Sequence, residues 1–338
     1  MKAILPATLS RRHALAGFAA LSVAGPRIAR ARELEKITFQ QSWLSGVQYA
    51  GLYLAKDKGY FAEEGLDVEF VPGGPNIDGT LNVVTGKAVL GDRPTDILIT
   101  ARGKGMPLKV IGSMFQRSPM CVMSLAETPI TSLKDMIGKT IAVAGTTRPI
   151  YVTLVKQAGL DPAAVNWVPV SPDPGALSSK QVDGFTGLDT NQGSILRSRG
   201  VKIHSLLLGD VGYRIYTGAI YTTEKVLQSR RPQMVGFLRA AIKGHRDMLG
   251  DPDGAARLTV EKFAAPGMDI NAALTEARAS IDYIDDRGAM RDRLLWVTPA
   301  AIEKEIAIHA ANGAIASIYP ASDLIEQKPI SEALGRAS

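Results

Sequence analysis

Strand and helix patterns alternate along the first two thirds of the chain. Residues 37–40 alternate apolar and polar side chains, which is typical of a half-buried strand. Residues 49–58 show helical spacing and precede Gly59, a residue favoured where helices end. A second strand pattern follows at 66–71. Together these segments predict a β-α-β unit, and therefore parallel strands in a sheet covered by helices.

The same alternation continues beyond this unit and then gives way to helices. We predict further strands at 108–114, 140–144 and 166–170, and further helices at 79–85, 132–137, 150–158 and 176–181. From residue 226 onward we predict long helices at 232–250, 253–264, 271–280 and 299–312. No sequence repeat of 20–50 residues is present, which argues against a solenoid.

The chain has no Pro-, Gly- or Ser-rich linker, which favours lobes joined by strands over domains on a tether. Strand-like stretches at 120–125 and 215–222 bracket a self-contained α/β region. We therefore predict that the chain leaves a first lobe near Cys121 and returns near Tyr221. The first lobe then comprises 32–121 and 221–338, the second comprises 122–220, and the two crossings form a hinge.

The first 31 residues have the pattern of a cleavable signal peptide. Lys2, Arg11 and Arg12 precede an uncharged, mostly apolar run at 14–25, which is too short to span a bilayer as a helix. Small residues at 29 and 31 flank an arginine, as signal peptidase requires. We expect cleavage after Ala31 and a periplasmic location.

Ser10-Arg11-Arg12 also resembles the twin-arginine export signal. Ala14 and Ala16 stand where that signal usually has a large apolar residue and a lysine. The twin-arginine and the ordinary export routes therefore both remain open, and both lead out of the cytoplasm.

Composition removes several classes of function. The net charge of +6 comes from 39 basic and 33 acidic residues, but residues 1–31 hold five basic and no acidic ones. The remainder has 34 against 33, a net charge of +1, which gives no support for nucleic-acid binding. Cys121 is the single cysteine, and the four histidines are scattered without zinc-ligand spacing. We predict no metal, no cofactor and no transmembrane segment in the mature chain.

Short motifs between residues 43 and 192 resemble one protein family. It comprises the periplasmic binding proteins for nitrate, sulfonates, taurine and thiamine pyrimidine precursors, and it includes the yeast-type thiamine pyrimidine synthases. The motifs are Trp43, Gly51-Leu52-Tyr53-Leu54-Ala55, Lys58-Gly59-Tyr60-Phe61, residues 64–68, 73–75 and 101–107, Gln116-Arg117-Ser118-Pro119, residues 133–139 and residues 182–185.

The resemblance implies a type II periplasmic-binding-protein fold, with two α/β lobes that close on a ligand in the cleft. It implies no catalysis, and delivery of the ligand to an ABC permease driven by an ATPase. The motif at 116–119 and Thr190-Asn191-Gln192 are more similar to the thiamine-precursor branch, which binds flat nitrogen heterocycles. Ser45, Tyr49 and Gln192 depart from that branch, which often has Pro, His and an acidic residue there, so the ligand stays open.

Candidate ligand-binding residues in the first lobe follow predicted strands. Trp43 comes after the first strand, where parallel sheets present ligands, and is a candidate for stacking on the ligand or for packing between the lobes. Tyr49 begins the following helix, where it either offers the ligand a ring or a hydroxyl group or serves only in packing. The loop at 73–76 brings the backbone of Gly74 and the amide of Asn76 near a ligand or forms a tight turn. The polar segment after residue 91 is predicted as a ligand loop or a surface turn. There Asp92 accepts from an amine or ring N–H and Arg93 pairs with an anion.

The second lobe supplies the remaining candidates. Thr146 and Arg148 lie between a predicted strand and helix, where backbone amides suit an anion or a carbonyl. Arg148 is a candidate clamp for the ligand or a solvated charge in the loop. Asp189, Asn191 and Gln192 follow the apolar run at 184–188 and are predicted to face the cleft. Tyr216 lies near the return crossing, where ligand closure and hinge packing are both open.

No sequence motif indicates an enzyme. The chain has no nucleophile elbow, Walker loop, dinucleotide loop or His-Glu-x-x-His helix. A pyrimidine synthase of this family is characterised by a catalytic histidine and a cysteine-rich iron segment, whereas this chain has Tyr49 and a single cysteine. We predict a binding protein for a thiamine-precursor-like pyrimidine or related heterocycle, for which Trp43 dominates affinity. The alternatives are a sulfonate, nitrate or other small-anion binder, for which Arg93 or Arg148 dominates, a pyrimidine synthase, and a periplasmic sensor module.

Overall fold

Ten strands form two five-stranded sheets in this computed structural model, which describes residues 33–74 and 77–336. The predicted signal peptide, 1–31, and the candidate Asn76 lie outside the described residues. The strands are β1 Glu35–Gln40, β2 Leu66–Val71, β3 Leu90–Arg93, β4 Leu108–Ser113, β5 Met120–Leu125, β6 Thr140–Val143, β7 Asn166–Pro169, β8 Gly184–Leu188, β9 Ile203–Leu207 and β10 Ala219–Thr223.

Helices pack on the sheets and make up most of the last third of the chain. None of those in the described part of the chain is long and apolar enough to cross a membrane. They are α1 Ala50–Asp57, α2 Tyr60–Glu63, α3 Gly79–Val84, α4 Thr95–Gly103, α5 Arg148–Gln157, α6 Gly175–Ser178, α7 Gln192–Ser198, α8 Glu224–Gly250, α9 Pro252–Leu258, α10 Ile270–Ile284, α11 Pro299–Ala311, α12 Ala321–Leu324 and α13 Lys328–Ala333.

The two sheets share one plan. The first has the strand order β2-β1-β3-β10-β4 and the second has the order β7-β6-β8-β5-β9. The predicted β-α-β unit is present, because β1 pairs in parallel with β2 and with β3. β10 runs antiparallel between β3 and β4, and β5 runs antiparallel between β8 and β9. Each antiparallel strand is the first strand after the chain passes from one sheet to the other.

The two connections between the sheets run side by side and are bonded to each other. Met114 N–H donates to the Gly218 carbonyl at 3.0 Å, and the hydroxyl groups of Ser118 and Thr217 are 2.6 Å apart. Gly218 has φ +72°, and a Cβ there would lie 2.9 Å from Met114 Cε. A residue without a Cβ is therefore needed where the connections meet.

The structure differs from the sequence predictions in three places. The segment at 92–95 was predicted as a loop, but Asp92 and Arg93 end strand β3, which pairs with β10. Strand β9 was not predicted at all. Helix α8 begins at Glu224 rather than 232, and Arg230 has non-helical angles two residues before Pro232. Proline disfavours helical geometry in the residues before it, which explains why the helix pattern was recognised only from that point.

Helices α1 and α8 approach each other closely enough to require glycine. A Cβ on Gly244 would lie 2.0 Å from the Gly51 carbonyl oxygen and 2.9 Å from Ala55 Cβ. A Cβ on Gly51 would lie 2.6 Å from Nδ1 of His245, which is buried. Burial lowers the pKa of His245 to about 4, so this imidazole is neutral near pH 7. The contact leaves no room for an added methyl group.

We therefore expect Gly244→Ala to destabilise the fold, although alanine favours helix more than glycine does. Overpacking of this kind costs about 1 to 3 kcal/mol in free energy of unfolding, which urea denaturation measures. Gly250→Ala is the matched control, because it changes the last residue of the same helix, where an added Cβ meets nothing within 4 Å. Equal unfolding midpoints for the two variants would contradict the close contact.

Candidate functional site

A cavity lies between the two sheets, beside the two connections. It has about 810 Å³ of space free of protein atoms, including its mouth, which is in the range of small-molecule sites. We call it the central cavity. Its wall comprises Ser42, Trp43, Gln48, Asp92, Arg93 and Pro94 from the first-sheet side, Met114, Phe115, Met120, Thr217 and Gly218 at the connections, and Ala144, Thr146, Thr147, Tyr151, Val170, Thr186, Gly187, Leu188 and Gln192 from the second-sheet side.

Asp92 is the buried carboxyl group in this wall. Its side chain accepts the Ser42 N–H at 2.9 Å and the Ser42 hydroxyl at 2.6 Å. The residue is 3% exposed, and burial raises its pKa to about 6 against the lowering effect of the Ser42 hydrogen bonds. At neutral pH Asp92 is therefore ionised in most protein molecules, and its carboxylate accepts hydrogen bonds at the cavity wall.

Trp43 is held at the edge of the cavity by its backbone. Its N–H donates to the Tyr49 hydroxyl at 3.0 Å, and its carbonyl accepts the Gly73 N–H at 2.9 Å. The Tyr49 hydroxyl also lies 3.2 Å from Ser42 Oγ. Tyr49 is fully buried and lies behind the cavity wall, where it supports Ser42 and Trp43. The half-buried Trp43 side chain belongs to the wall itself.

Arg93 lines the central cavity, and one of its three guanidinium nitrogens is bonded to the loop before α3. Nη2 donates to the Ile77 carbonyl at 2.9 Å and to Asp78 Oδ1 at 3.1 Å. Its Nε is buried without a hydrogen-bond partner among the described residues. The side chain is thus held at Nη2 by the loop before α3.

Thr146 and Gln192 complete the predicted residues that the structure brings to this cavity. Gln192 Oε1 accepts the Leu188 N–H at 2.9 Å. A Cβ on Gly187 would lie 2.5 Å from that same oxygen, so the glycine lets the Gln192 amide pack against strand β8.

The remaining predicted residues lie elsewhere in the described chain. Gly74 is in the loop after β2, beside the segment that holds Trp43. Arg148 is exposed at the start of α5, outside the wall. Asp189 accepts from Arg197 at 2.6 Å and from Ser205 at 2.6 Å. Asn191 lines a neighbouring cavity, and the Tyr216 hydroxyl accepts the Thr298 N–H at 3.1 Å.

Several wall residues were not singled out from the sequence. Phe115 and Tyr151 add aromatic surface, and Thr186 and Gln48 add polar groups. Ser42 orients Asp92 through two hydrogen bonds. Their residue types are common, and only the position of Ser42, immediately before Trp43 and just after β1, offered a signal.

Residues 47–255 match the family described as NMT1/THI5 like. The chain belongs to this family. It is 28% identical over 252 residues to the riboflavin-binding protein RibY of Chloroflexus aurantiacus, and the alignment covers 72% of this chain and 71% of that protein. It is 32% identical over 229 residues to the formylaminopyrimidine-binding protein of Halalkalibacterium halodurans, which covers 66% and 69%. It is also 25% identical over 234 residues to the 4-amino-5-hydroxymethyl-2-methylpyrimidine phosphate synthase of Schizosaccharomyces pombe, which covers 64% and 66%.

Solved structures confirm the predicted two-lobe α/β fold. The periplasmic aliphatic sulphonate binding protein SsuA of Escherichia coli is 15% identical, with a TM-score of 0.62 and coverage of 87% of this chain and 92% of that chain. The ligand binding component of an ABC-type import system from Staphylococcus aureus is 16% identical, with a TM-score of 0.65 and coverage of 88% and 99%.

The hydrogen bonds around Asp92 predict a measurable effect of Ser42. In Ser42→Ala the hydroxyl donor is lost, so we expect the pKa of Asp92 to rise above about 6, as followed by NMR titration of the carboxyl carbon. Ser45→Ala is the control, because the Ser45 hydroxyl donates to Gln41 rather than to Asp92. A pKa that is unchanged in Ser42→Ala would show that the hydroxyl does not stabilise the carboxylate.

Proposed function

We propose that this protein is the exported solute-binding component of an ABC importer, and that it captures a pyrimidine or a related aromatic heterocycle without transforming it. The observation that carries the proposal is the composition of the central cavity. Aromatic and apolar side chains, including Trp43, Phe115 and Tyr151, surround the buried carboxyl group of Asp92. A flat ring with N–H or amino groups suits such a wall, because the rings stack while the carboxylate accepts hydrogen bonds.

A small anion suits the same wall less well. The Asp92 carboxylate would repel it. Arg93 is bonded to Ile77 and Asp78, and Arg148 is exposed outside the wall. Of the two predicted anion clamps, Arg148 therefore lies outside the wall and Arg93 is held through Nη2 by the loop before α3, which is why we favour the heterocycle.

Names of relatives support the same choice. One relative is named a riboflavin-binding protein and another a formylaminopyrimidine-binding protein, and both ligand names denote nitrogen heterocycles. Other relatives are named pyrimidine phosphate synthases. For this chain we favour binding without catalysis, because Tyr49 stands near the place of the histidine characteristic of those enzymes and Cys121 is its single cysteine.

In this proposal the lobes are residues 32–121 with 221–338, and residues 122–220. They close by bending at the two connections beside the cavity, and the ligand favours the closed form because it contacts both lobes only there. The closed protein then docks on a membrane permease powered by an ATPase. Residues 1–31 direct export to the periplasm and are removed after Ala31.

Thermal-shift screening tests the ligand class, since a ligand that binds only the native state raises the melting temperature. We expect pyrimidines or flavins to raise the melting temperature, and sulfonates and nitrate to leave it unchanged.

Trp43→Ala should weaken heterocycle binding about tenfold through lost ring contact. Arg148→Ala is the control and should bind normally. Shifts confined to small anions, with Arg148→Ala or Arg93→Ala causing the larger loss, would establish the anion alternative.

Affinity should also depend on pH through Asp92, whose pKa is raised to about 6. Above that pH the carboxylate accepts from a ring N–H, and below it the proton competes. We therefore expect affinity for riboflavin, a neutral probe whose ring does not titrate in this range, to fall by up to about tenfold per unit as pH drops below 6. Calorimetric titrations between about pH 5 and pH 7 measure the slope, and Asp92→Asn should abolish it. A slope that persists in Asp92→Asn would assign the titration to another group.

A further inference from the structure

A second cavity adjoins the central cavity. It has about 1060 Å³ of space free of protein atoms, including its mouth, and we call it the side cavity. Trp43 and Gln48 line both cavities. These two residues therefore lie between the two cavities.

The polar groups of the side cavity are mainly carboxyl and amide groups. Its polar lining includes Asp173, Asn191, Asp269 and Glu276. The nearby cation, Arg199, is held by Asp173 through two hydrogen bonds of 2.7 and 2.9 Å. Carboxyl, amide and hydroxyl groups thus remain as the main polar features of a wall that, like that of the central cavity, is otherwise mostly apolar.

Glu276 is the buried polar group of the side cavity, at 3% exposure. Its Oε2 accepts the Asn191 side-chain N–H at 2.6 Å. This bond joins α10, whose residues pack in the core of the first sheet, to the residue that precedes α7 on the second sheet. Oε1 has no hydrogen-bond partner within 3.5 Å among the described residues.

The protonation of Glu276 favours neutral partners. Burial raises its pKa to about 8, although the Asn191 amide and the Gln48 backbone N–H lower it. Near pH 7 the group is therefore mostly a neutral carboxylic acid, which both donates and accepts. Hydroxyl groups match such a partner, whereas an ammonium group is better bound by a carboxylate.

We propose that the ligand carries a hydroxylated chain on its aromatic ring, and that this chain passes Trp43 and Gln48 into the side cavity, where Glu276 and Asn191 bind its hydroxyl groups. The inference rests on the proposed function, which places the ring in the central cavity. It narrows the ligand class from single heterocyclic rings to rings that bear a polyol chain. Because Glu276 and Asn191 belong to opposite sides of the cleft, the bound chain also ties the two sides together.

Three probes separate the ring from the chain in isothermal titration calorimetry. Riboflavin has both parts, lumichrome is the corresponding alloxazine, with a hydrogen on N1 and without the chain, and 4-amino-5-hydroxymethyl-2-methylpyrimidine is a single ring. We expect riboflavin to bind at least about tenfold more tightly than lumichrome, the effect of one or two added hydrogen bonds to buried partners.

Substitution of Glu276 locates the chain. Glu276→Leu replaces the carboxyl group by an apolar group of similar length, and should weaken riboflavin binding about tenfold while lumichrome binding changes less than about twofold. Thr275→Ala is the matched control, because its hydroxyl donates to the Asn271 carbonyl on the same helix and is not part of the cavity wall. If circular dichroism shows that Glu276→Leu does not fold, Asn191→Ala repeats the test from the opposite side of the cleft.

Each outcome separates this inference from the proposed function. Equal affinities for riboflavin and lumichrome, or equal losses for both in the variants, overturn the inference and leave heterocycle binding intact. Tight binding of the single-ring pyrimidine without any binding of riboflavin also overturns the inference and leaves heterocycle binding intact. Absence of binding by all three probes overturns the heterocycle proposal together with the inference.

Discussion

The structure depends on how β5 and β10 enter the two sheets. Each is the first strand after a connection, and each takes an interior, antiparallel position. A connection that ends in the middle of a sheet is fixed by hydrogen bonds on both sides, so its direction is set by the whole sheet. The bonds from Met114 to Gly218 and from Ser118 to Thr217 then hold the two connections together. The central cavity lies at this junction, and its wall includes Met114, Thr217 and Gly218 from the two connections.

The sequence predicted the parts of this arrangement that have local signals. Trp43 was predicted at the cleft because it follows a strand whose alternation is clear, and parallel sheets expose that end. Asp92 was singled out too, but in a loop, because β3 has only four residues, three of which are Gly91, Asp92 and Arg93. It becomes a strand through pairing with β10, more than a hundred positions later. Nothing local encodes that partner, and the same holds for strand β9.

Side-chain partners were the other part that the sequence did not provide. Asp189 has the residue type and position of a ligand-binding group, yet Arg197 and Ser205 both donate to its Oδ1, and the Tyr283 hydroxyl donates to its Oδ2. Glu276 lies in a helix pattern that predicts only a buried face, and its bond to Asn191 appears once both sides of the cleft are in place. Where a polar side chain is satisfied depends on tertiary distances, so residue type limits the candidates without choosing among them.

The single thiol in the chain can be used to measure local unfolding of the second sheet. Cys121 lies in β5, the strand that fixes the first connection, and is fully buried. Burial raises the pKa of its thiol well above the ordinary value, and the Asp189 carboxylate adds to this, so it is unreactive in the native state. An alkylating reagent therefore modifies it only when β5 separates from its neighbours, and the rate of modification measures the free energy of that local unfolding. Applied with and without ligand, the same chemistry reports how far occupation of the cleft stabilises the sheet behind it.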